Sequence, residues 1–252
     1  MQDEQSVKPP VQQRWQWLRG FADVLLEPGR LGRLIGAQAG KVFVAALLLL
    51  TTVSVVTNWL HSRSAPIRLQ FQQLAQHQLE RYLERHPEFT VEQRTALQQQ
   101  LQQGLRFSFV RSLFGGLFSN AMTLVSLAGL LWLVQPLVGV RWGTVRFAAV
   151  VSALGYASVW GALGEIVSAV AQVLGQSLQV QPSLALFVVP EQNPVLFALL
   201  SRIHLGALVQ FGVLGSVLSR VSDIPQWRGI LWSALAWGLW LGALYGMGMV
   251  VR

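Results

Sequence analysis

Residues Val42 to Leu60, VFVAALLLLTTVSVVTNWL, run for nineteen positions without a charge. At ~1.5 Å per residue a helix of that length reaches roughly 29 Å, about one hydrocarbon thickness. The same arithmetic holds for Phe114–Val134 and Gly229–Val251, which are also uncharged. Phe147–Val170 carries one carboxylate, Glu165, and Ile203–Leu218 has only sixteen residues unless it borrows from Val195–Leu200, beyond Ser201 and Arg202. The expected fold is therefore all-α, a polytopic transmembrane helical bundle with five spans at about 42–60, 114–134, 147–170, 203–218 and 229–251. Composition agrees, since 52% of residues are apolar and 12% charged, where globular chains carry about 25% charged. Ten Trp and twenty-three Gly suit a lipid solvent, in which Trp gathers at interfaces and Gly is common within spans.

Two domains are expected: a polar, amphipathic segment over 1–41 and a transmembrane domain over 42–252. The first segment contains Asp3, Glu4, Lys8, Pro9 and Pro10 and no apolar run of the kind a cleaved signal needs, so the first span is expected to be an anchor. Within it Trp17, Phe21 and Val24, then Leu31, Leu34 and Ile35, recur at near-helical spacing around a Pro28–Gly29 break. That pattern predicts an interfacial amphipathic helix with its aromatics toward the headgroups.

Between the first two spans, Pro66 can start a helix with the stripe Ile67, Phe71, Leu74, Ala75, Leu79, Tyr82 and Leu83, which His86–Pro87 ends. Thr90 and Gln93 have capping-box spacing and open a second helix with Val91, Leu97 and Leu101 on one face and Gly104 at its end. A helical hairpin over 66–104 follows, and its regular stripe argues against disorder despite eleven Gln.

The order of these features, with three local stretches, resembles the Yip family, the Ypt/Rab-interacting five-span membrane proteins. FADVLLEPGRLGRL at 21–34 is similar to the Pro-centred amphipathic helix before that family's first span, HPEFTVEQ at 86–93 to a stretch of its bacterial branch, and GTVRFAAVVSALGYAS at 143–158 to its approach into the third span. NPVLFALLSRIHLGALVQFGVLGSVL at 193–218 follows the family order of Asn-Pro, short helix, span, with His204 where an acidic residue is common and Leu208 where Trp is common. Val159–Trp160 replaces a frequent Pro. The resemblance implies five spans, a cytoplasmic N-terminus and, in eukaryotic members, a role in membrane traffic.

Lys and Arg flanking the spans balance between the two sides, but the short loops do not: 135–146 and 219–228 hold two Arg each and 171–202 holds one. This bias favours N-terminus inside and C-terminus outside. The expected place is a multi-pass position in a bacterial cytoplasmic membrane.

Few residues carry chemistry. Glu165 is the sharpest, because an ionisable group within a span costs ~2.5–3.5 kcal/mol on insertion scales. Ala153, Ala157, Gly161, Glu165 and Ala169 recur every four residues, so the carboxylate shares a face with small residues that admit a close neighbour. Counting from Phe147, Glu165 lies about 27 Å along the helix, near the far interface, which favours a polar tie over a midplane relay. Arg202 and His204 stand at the mouth of the fourth span and, with Tyr156 and Glu165, are the candidate ligand or polar-packing residues. Interfacial snorkelling by Arg202 and a solvated His204 is the simpler expectation. Gly238, Gly242 and Gly246, extended by Ala234, make a small-residue ridge that predicts a close crossing with another span or another copy, and Gly161 is a further packing candidate. Ser112, Gly116 and Asn120 form a similar face on which Asn120 is expected to bond across to a neighbour. Trp232, Trp237 and Trp240 read as lipid-facing or belt residues.

Zero Cys removes thiolate chemistry, and no Gly-x-Ser-x-Gly, His-Glu-x-x-His or phosphate-binding Gly loop occurs. Tyr156 and Ser158 with His204 lack an acidic orienter at short spacing. The formal charge of +8 is scattered and does not suggest nucleic acid. The expectation is a non-enzymatic membrane scaffold, adaptor or accessory subunit without cofactor or metal. Its expected partners are membrane lipid and other membrane proteins or a homo-oligomer. The rival is a transporter or small-solute or lipid permease subunit using Glu165 with Arg202 and His204, for which an internal repeat and a second buried charge are missing.

Overall fold

A computed structural model describes residues 16–26, 35, 38–105, 107–188 and 194–246. The regular structure among them is helical: α1 (Gln16–Leu26), α2 (Ala39–Arg63), α3 (Ala65–Arg85), α4 (Val91–Leu105), α5 (Phe109–Leu133), α6 (Phe147–Gly175), α7 (Pro194–Ser201), α8 (Leu205–Val221) and α9 (Gln226–Gly246). Four of these, α2, α5, α6 and α9, are long and apolar enough to cross a membrane. Helix α8 is apolar but has 17 residues, about 26 Å at helical rise. The sequence expectations for Pro28–Gly29, Leu31, Leu34 and Arg252 lie outside the described residues.

The helix ends follow local chemistry. Ser64 precedes α3 with Pro66 in its first turn, where the missing N–H has no helical partner to lose. The Thr90 N–H donates to Gln93 Oε1 at 3.0 Å and the Gln93 N–H returns to Thr90 Oγ1 at 3.3 Å, a reciprocal cap that starts α4. Helix α6 stops where Gln176 takes a positive φ of 51°. Past α8, Asp223 does the same at 54°, and the Ile224 N–H reaches back to the Ser219 carbonyl at 3.0 Å.

The described residues fall into two compact units, one within Met1–Leu49, Ala121–Gly161 and Val209–Trp240 and one within Leu50–Asn120, Ala162–Leu208 and Leu241–Arg252. In the first unit α1 lies against α6. Its apolar face packs on α6: Val24 is buried, the Tyr156 hydroxyl donates to the Trp17 carbonyl at 3.1 Å, and Trp160 Nε1 donates to the Val24 carbonyl at 3.2 Å. Phe21 meets the Tyr156 ring edge-on at 4.9 Å. Gly20 makes this approach possible, since a Cβ there would stand 2.5 Å from Tyr156 Cε1. Leu18 and Leu25, 43% and 40% exposed, remain uncovered by these contacts.

Helices α8 and α9 touch backbone to backbone. A Cβ on Gly215 would lie 2.6 Å from Ile230 Cα, and one on Gly229 would strike the Gly215 carbonyl oxygen. Two expectations for α9 need correction. Trp232 is not a belt residue: it is fully buried, and Trp237 stacks on Phe211 at 4.6 Å. Gly238, Gly242 and Gly246 do not make the crossing with another described span, because a Cβ on any of them meets no atom within 4 Å, and their face is left open to another copy. The close crossing is made one turn into α9, by Gly229, whose side of the helix also carries the buried Ser233 and Ala236.

Helix α6 is the most enclosed span, with 67% of its apolar window buried against 22–28% for the other three. Ala153, Ala157 and Ala169 of the expected small-residue face are each 1% exposed, and Gly161 backs onto the Gln210 side chain.

Candidate functional site

The second unit contains a polar seam. On α2, Thr51, Ser54, Asn58 and His61 follow at steps of three and four residues and so share one face of the helix, with Thr57 beside them. Helix α5 brings Ser112, Gly116 and Asn120 at steps of four. A Cβ on Gly116 would sit 3.4 Å from Thr51 Cγ2, ordinary contact, so α2 and α5 approach closely there. As expected for Asn120, its amide bonds across, donating to Ser54 Oγ at 3.5 Å. Helix α6 adds Glu165, Ser168 and Gln172.

Glu165 stands within hydrogen-bonding reach of Ser54. The Ser54 hydroxyl can accept from Asn120 and donate to the carboxylate, which links α5, α2 and α6 through one oxygen. Arg202 acts on Glu165 through its charge without joining it in a salt bridge among the described residues. Further along the seam, His61 comes within reach of Gln172, whose amide nitrogen donates to the Leu178 carbonyl at 3.1 Å and to Gln181 Oε1 at 3.4 Å. Four buried side-chain atoms on α2 and α6 have no hydrogen-bond partner among the described residues: Thr51 Oγ1, Thr57 Oγ1, His61 Nε2 and Ser168 Oγ. Buried groups left so cost about 1–3 kcal/mol each.

His204 is not simply solvated. It precedes α8, and its Nδ1 accepts the Ala207 N–H at 3.2 Å, a side-chain cap that requires the neutral Nε2–H tautomer. Its backbone lies antiparallel to that of Ser183, through the Leu184 N–H to the Ile203 carbonyl at 3.2 Å and the Leu205 N–H to the Pro182 carbonyl at 3.0 Å, and it faces Gly164, where a Cβ would lie 2.7 Å from His204 Nδ1 and 2.6 Å from Gly206 Cα. Glu165, Arg202 and His204 therefore belong to one neighbourhood. Tyr156 does not join them: it lies in the first unit, nine residues and about 13 Å of helix from Glu165, with its hydroxyl committed to Trp17.

The seam on α2 is what sequence reasoning passed over. Its signal was present as polar residues at helical steps within an apolar run, but two Thr, a Ser and an Asn barely lower the mean hydropathy of that run. Among the described residues no three His, Asp or Glu converge as metal ligands. Comparison of the chain with family models, with curated proteins and with solved structures finds no match.

Proposed function

We propose that this protein is a non-enzymatic membrane scaffold of Yip type, with five spans, a cytoplasmic N-terminus and a helical hairpin of α3 and α4 that engages another membrane protein on the opposite side. In this reading α8 is the fifth span. The observation that carries the proposal is the exposure of the hairpin. Of the residues of α3 and α4 whose side chains are described, only Ile67 is buried. Ala75, Leu79, Leu83, Leu97 and Leu101 are half-covered, while Leu74 and Tyr82 remain 47% and 46% exposed.

A helix pair that covers so little of itself needs a second surface to hide those side chains. It is nevertheless anchored at its base. The Gln70 amide nitrogen donates to the Gln176 carbonyl at 2.9 Å, and Gln70 Oε1 accepts the Leu178 N–H at 2.9 Å. An arm fixed at one end and open along its length presents a partner surface at low ordering cost. The resemblance of 86–93 to the bacterial branch of the family points the same way.

The test is co-purification from native membranes. Leu74→Lys with Tyr82→Ser should release the bound protein while leaving the melting temperature of the extracted chain unchanged. Retention of the same partners by that variant would defeat the proposal.

One observation favours the rival permease reading. Four unpartnered polar atoms along a seam with a carboxylate are what a hydrated path would require. Proton or solute flux in vesicles that disappears in well-folded Glu165→Gln would establish that path in place of the scaffold.

A further inference from the structure

The second unit holds a cavity of about 360 Å³ beside the C-terminal end of α2 and the N-terminal end of α5. Arg68, Arg111, His61, Asn58, Phe71 and Phe107 line it together with small and hydroxyl residues, and among the described residues no carboxylate is in the lining. Two guanidinium groups therefore share this lining with no acid beside them among the described residues.

Arg111 is held in place by main-chain oxygens. Its Nη1 donates to the Gly104 carbonyl at 2.8 Å and to the Gln103 carbonyl at 3.4 Å, and its Nη2 donates to Gln103 at 3.4 Å. These neutral acceptors orient the group without cancelling its charge. The Nε–H and one Nη2–H keep no protein acceptor among the described residues, and together they form the fork edge that fits two oxygens of a phosphate.

Helix α5 begins at the same place. Ser108 accepts the Arg111 N–H at 3.4 Å on its side chain and the Ser112 N–H at 2.9 Å on its carbonyl, so the Phe109 and Val110 N–H groups ahead of them have no helical acceptor. The first turn of a 25-residue helix adds partial positive charge to the cavity. His61 lines the same space with its Nε2 buried and unpartnered.

What lies next to the cavity decides the class of anion. Phe71 and Phe107, 39% and 37% exposed, line the cavity beside the two guanidinium groups, and α2 and α5, which both contribute to its wall, are each long and apolar enough to cross a membrane. A phosphate seated between Arg68 and Arg111 would leave hydrocarbon attached to it against those rings and the apolar lengths of the two helices. We propose that this cavity is a binding site for the headgroup phosphate of an anionic phospholipid. The site needs only that α2 and α5 lie in the bilayer, and it does not depend on the scaffold reading.

The experiment is native mass spectrometry of the full chain in detergent, titrated with phosphatidylglycerol, with phosphatidylcholine, and with phosphatidylglycerol in the presence of inorganic phosphate. The intact protein should retain phosphatidylglycerol about tenfold more tightly than phosphatidylcholine, because both carry the phosphate but the quaternary ammonium of phosphatidylcholine is repelled by the two guanidinium groups. Arg68→Gln, which removes no hydrogen bond seen in the fold, should abolish that preference with unchanged melting. Arg111→Gln should do the same and also loosen the end of α4, so Arg68→Gln carries the decision. Equal retention of the two lipids, an unaltered preference in Arg68→Gln, or displacement of the lipid by millimolar inorganic phosphate would overturn the proposal, the last by making free phosphate the ligand.

Discussion

Trp232 Nε1 donates to the main-chain carbonyl of Leu131 at 2.7 Å, with the indole fully buried. Leu131 lies in the last turn of α5, where carbonyls have no helical N–H to accept, so a side chain of α9 completes the end of a neighbouring span. Trp232→Phe keeps most of the ring and strands that oxygen. We expect a loss of about 1–3 kcal/mol, read as a lower melting temperature in detergent. Trp240→Phe, on a residue with no such bond among those described, should melt like the parent.

Glycine substitutions on α9 should separate the true crossing from the open ridge. A Cβ on Gly229 strikes the Gly215 carbonyl, so Gly229→Ala should destabilise by about 1–3 kcal/mol through overpacking. Gly242→Leu meets open space and should leave the melting of the monomeric chain unaltered. Equal sensitivity at the two positions would place the α8–α9 crossing elsewhere.

These two helices show what the pattern on α9 leaves open. A four-residue repeat of Gly identifies a face on which close approach is possible, but nothing in the repeat says that a neighbour uses it. The crossing is instead made by Gly229 near the helix start, because Pro225 and the short turn after α8 fix where the backbones meet. Spans α2, α5 and α6 were legible as uncharged or nearly uncharged runs, since a bilayer demands that length and composition regardless of tertiary contacts. The cap at Thr90 and Gln93 was legible because both partners lie within one turn. The seam was not, since Ser54, Asn120 and Glu165 are brought together by packing between helices distant in sequence. Tyr156 was grouped with Glu165 by residue type alone, whereas the helix sets them about 13 Å apart.

Glu165 should tolerate a neutral isostere better than an apolar one. Glu165→Gln retains an acceptor for the Ser54 hydroxyl, whereas Glu165→Leu leaves Ser54 and Asn120 facing a hydrocarbon side chain. The Leu variant should lose about 1–3 kcal/mol and the Gln variant less than half of that. Adding Ser54→Ala to Glu165→Leu should recover part of the loss, and a strictly additive double variant would show that the two do not interact.

The turn between α3 and α4 should loosen in acid. Glu88 Oε1 contacts His86 Nδ1 at 2.8 Å, and its own backbone N–H first, then the His86 ring, hold the Glu88 carboxyl below its ordinary range. A depressed carboxyl contributes stability above its unfolded value and loses it as pH falls through the folded one. Hydrogen exchange at the Phe89 and Thr90 amides should therefore gain protection loss below the usual carboxylate range, beyond the intrinsic pH trend. Glu88→Gln should remove that extra step. The effect is modest, because the His86 and Glu88 side chains are 40% and 64% exposed.

The scaffold proposal rests on what covers the exposed face of the α3–α4 pair, and site-specific photo-crosslinking in native membranes asks that directly. A photoreactive residue at Leu74 should yield adducts with another protein, while one at Phe118, 72% exposed on a span, should yield lipid adducts. Lipid adducts alone at both positions would mean that the pair lies against the bilayer and presents nothing to a partner, contradicting the account.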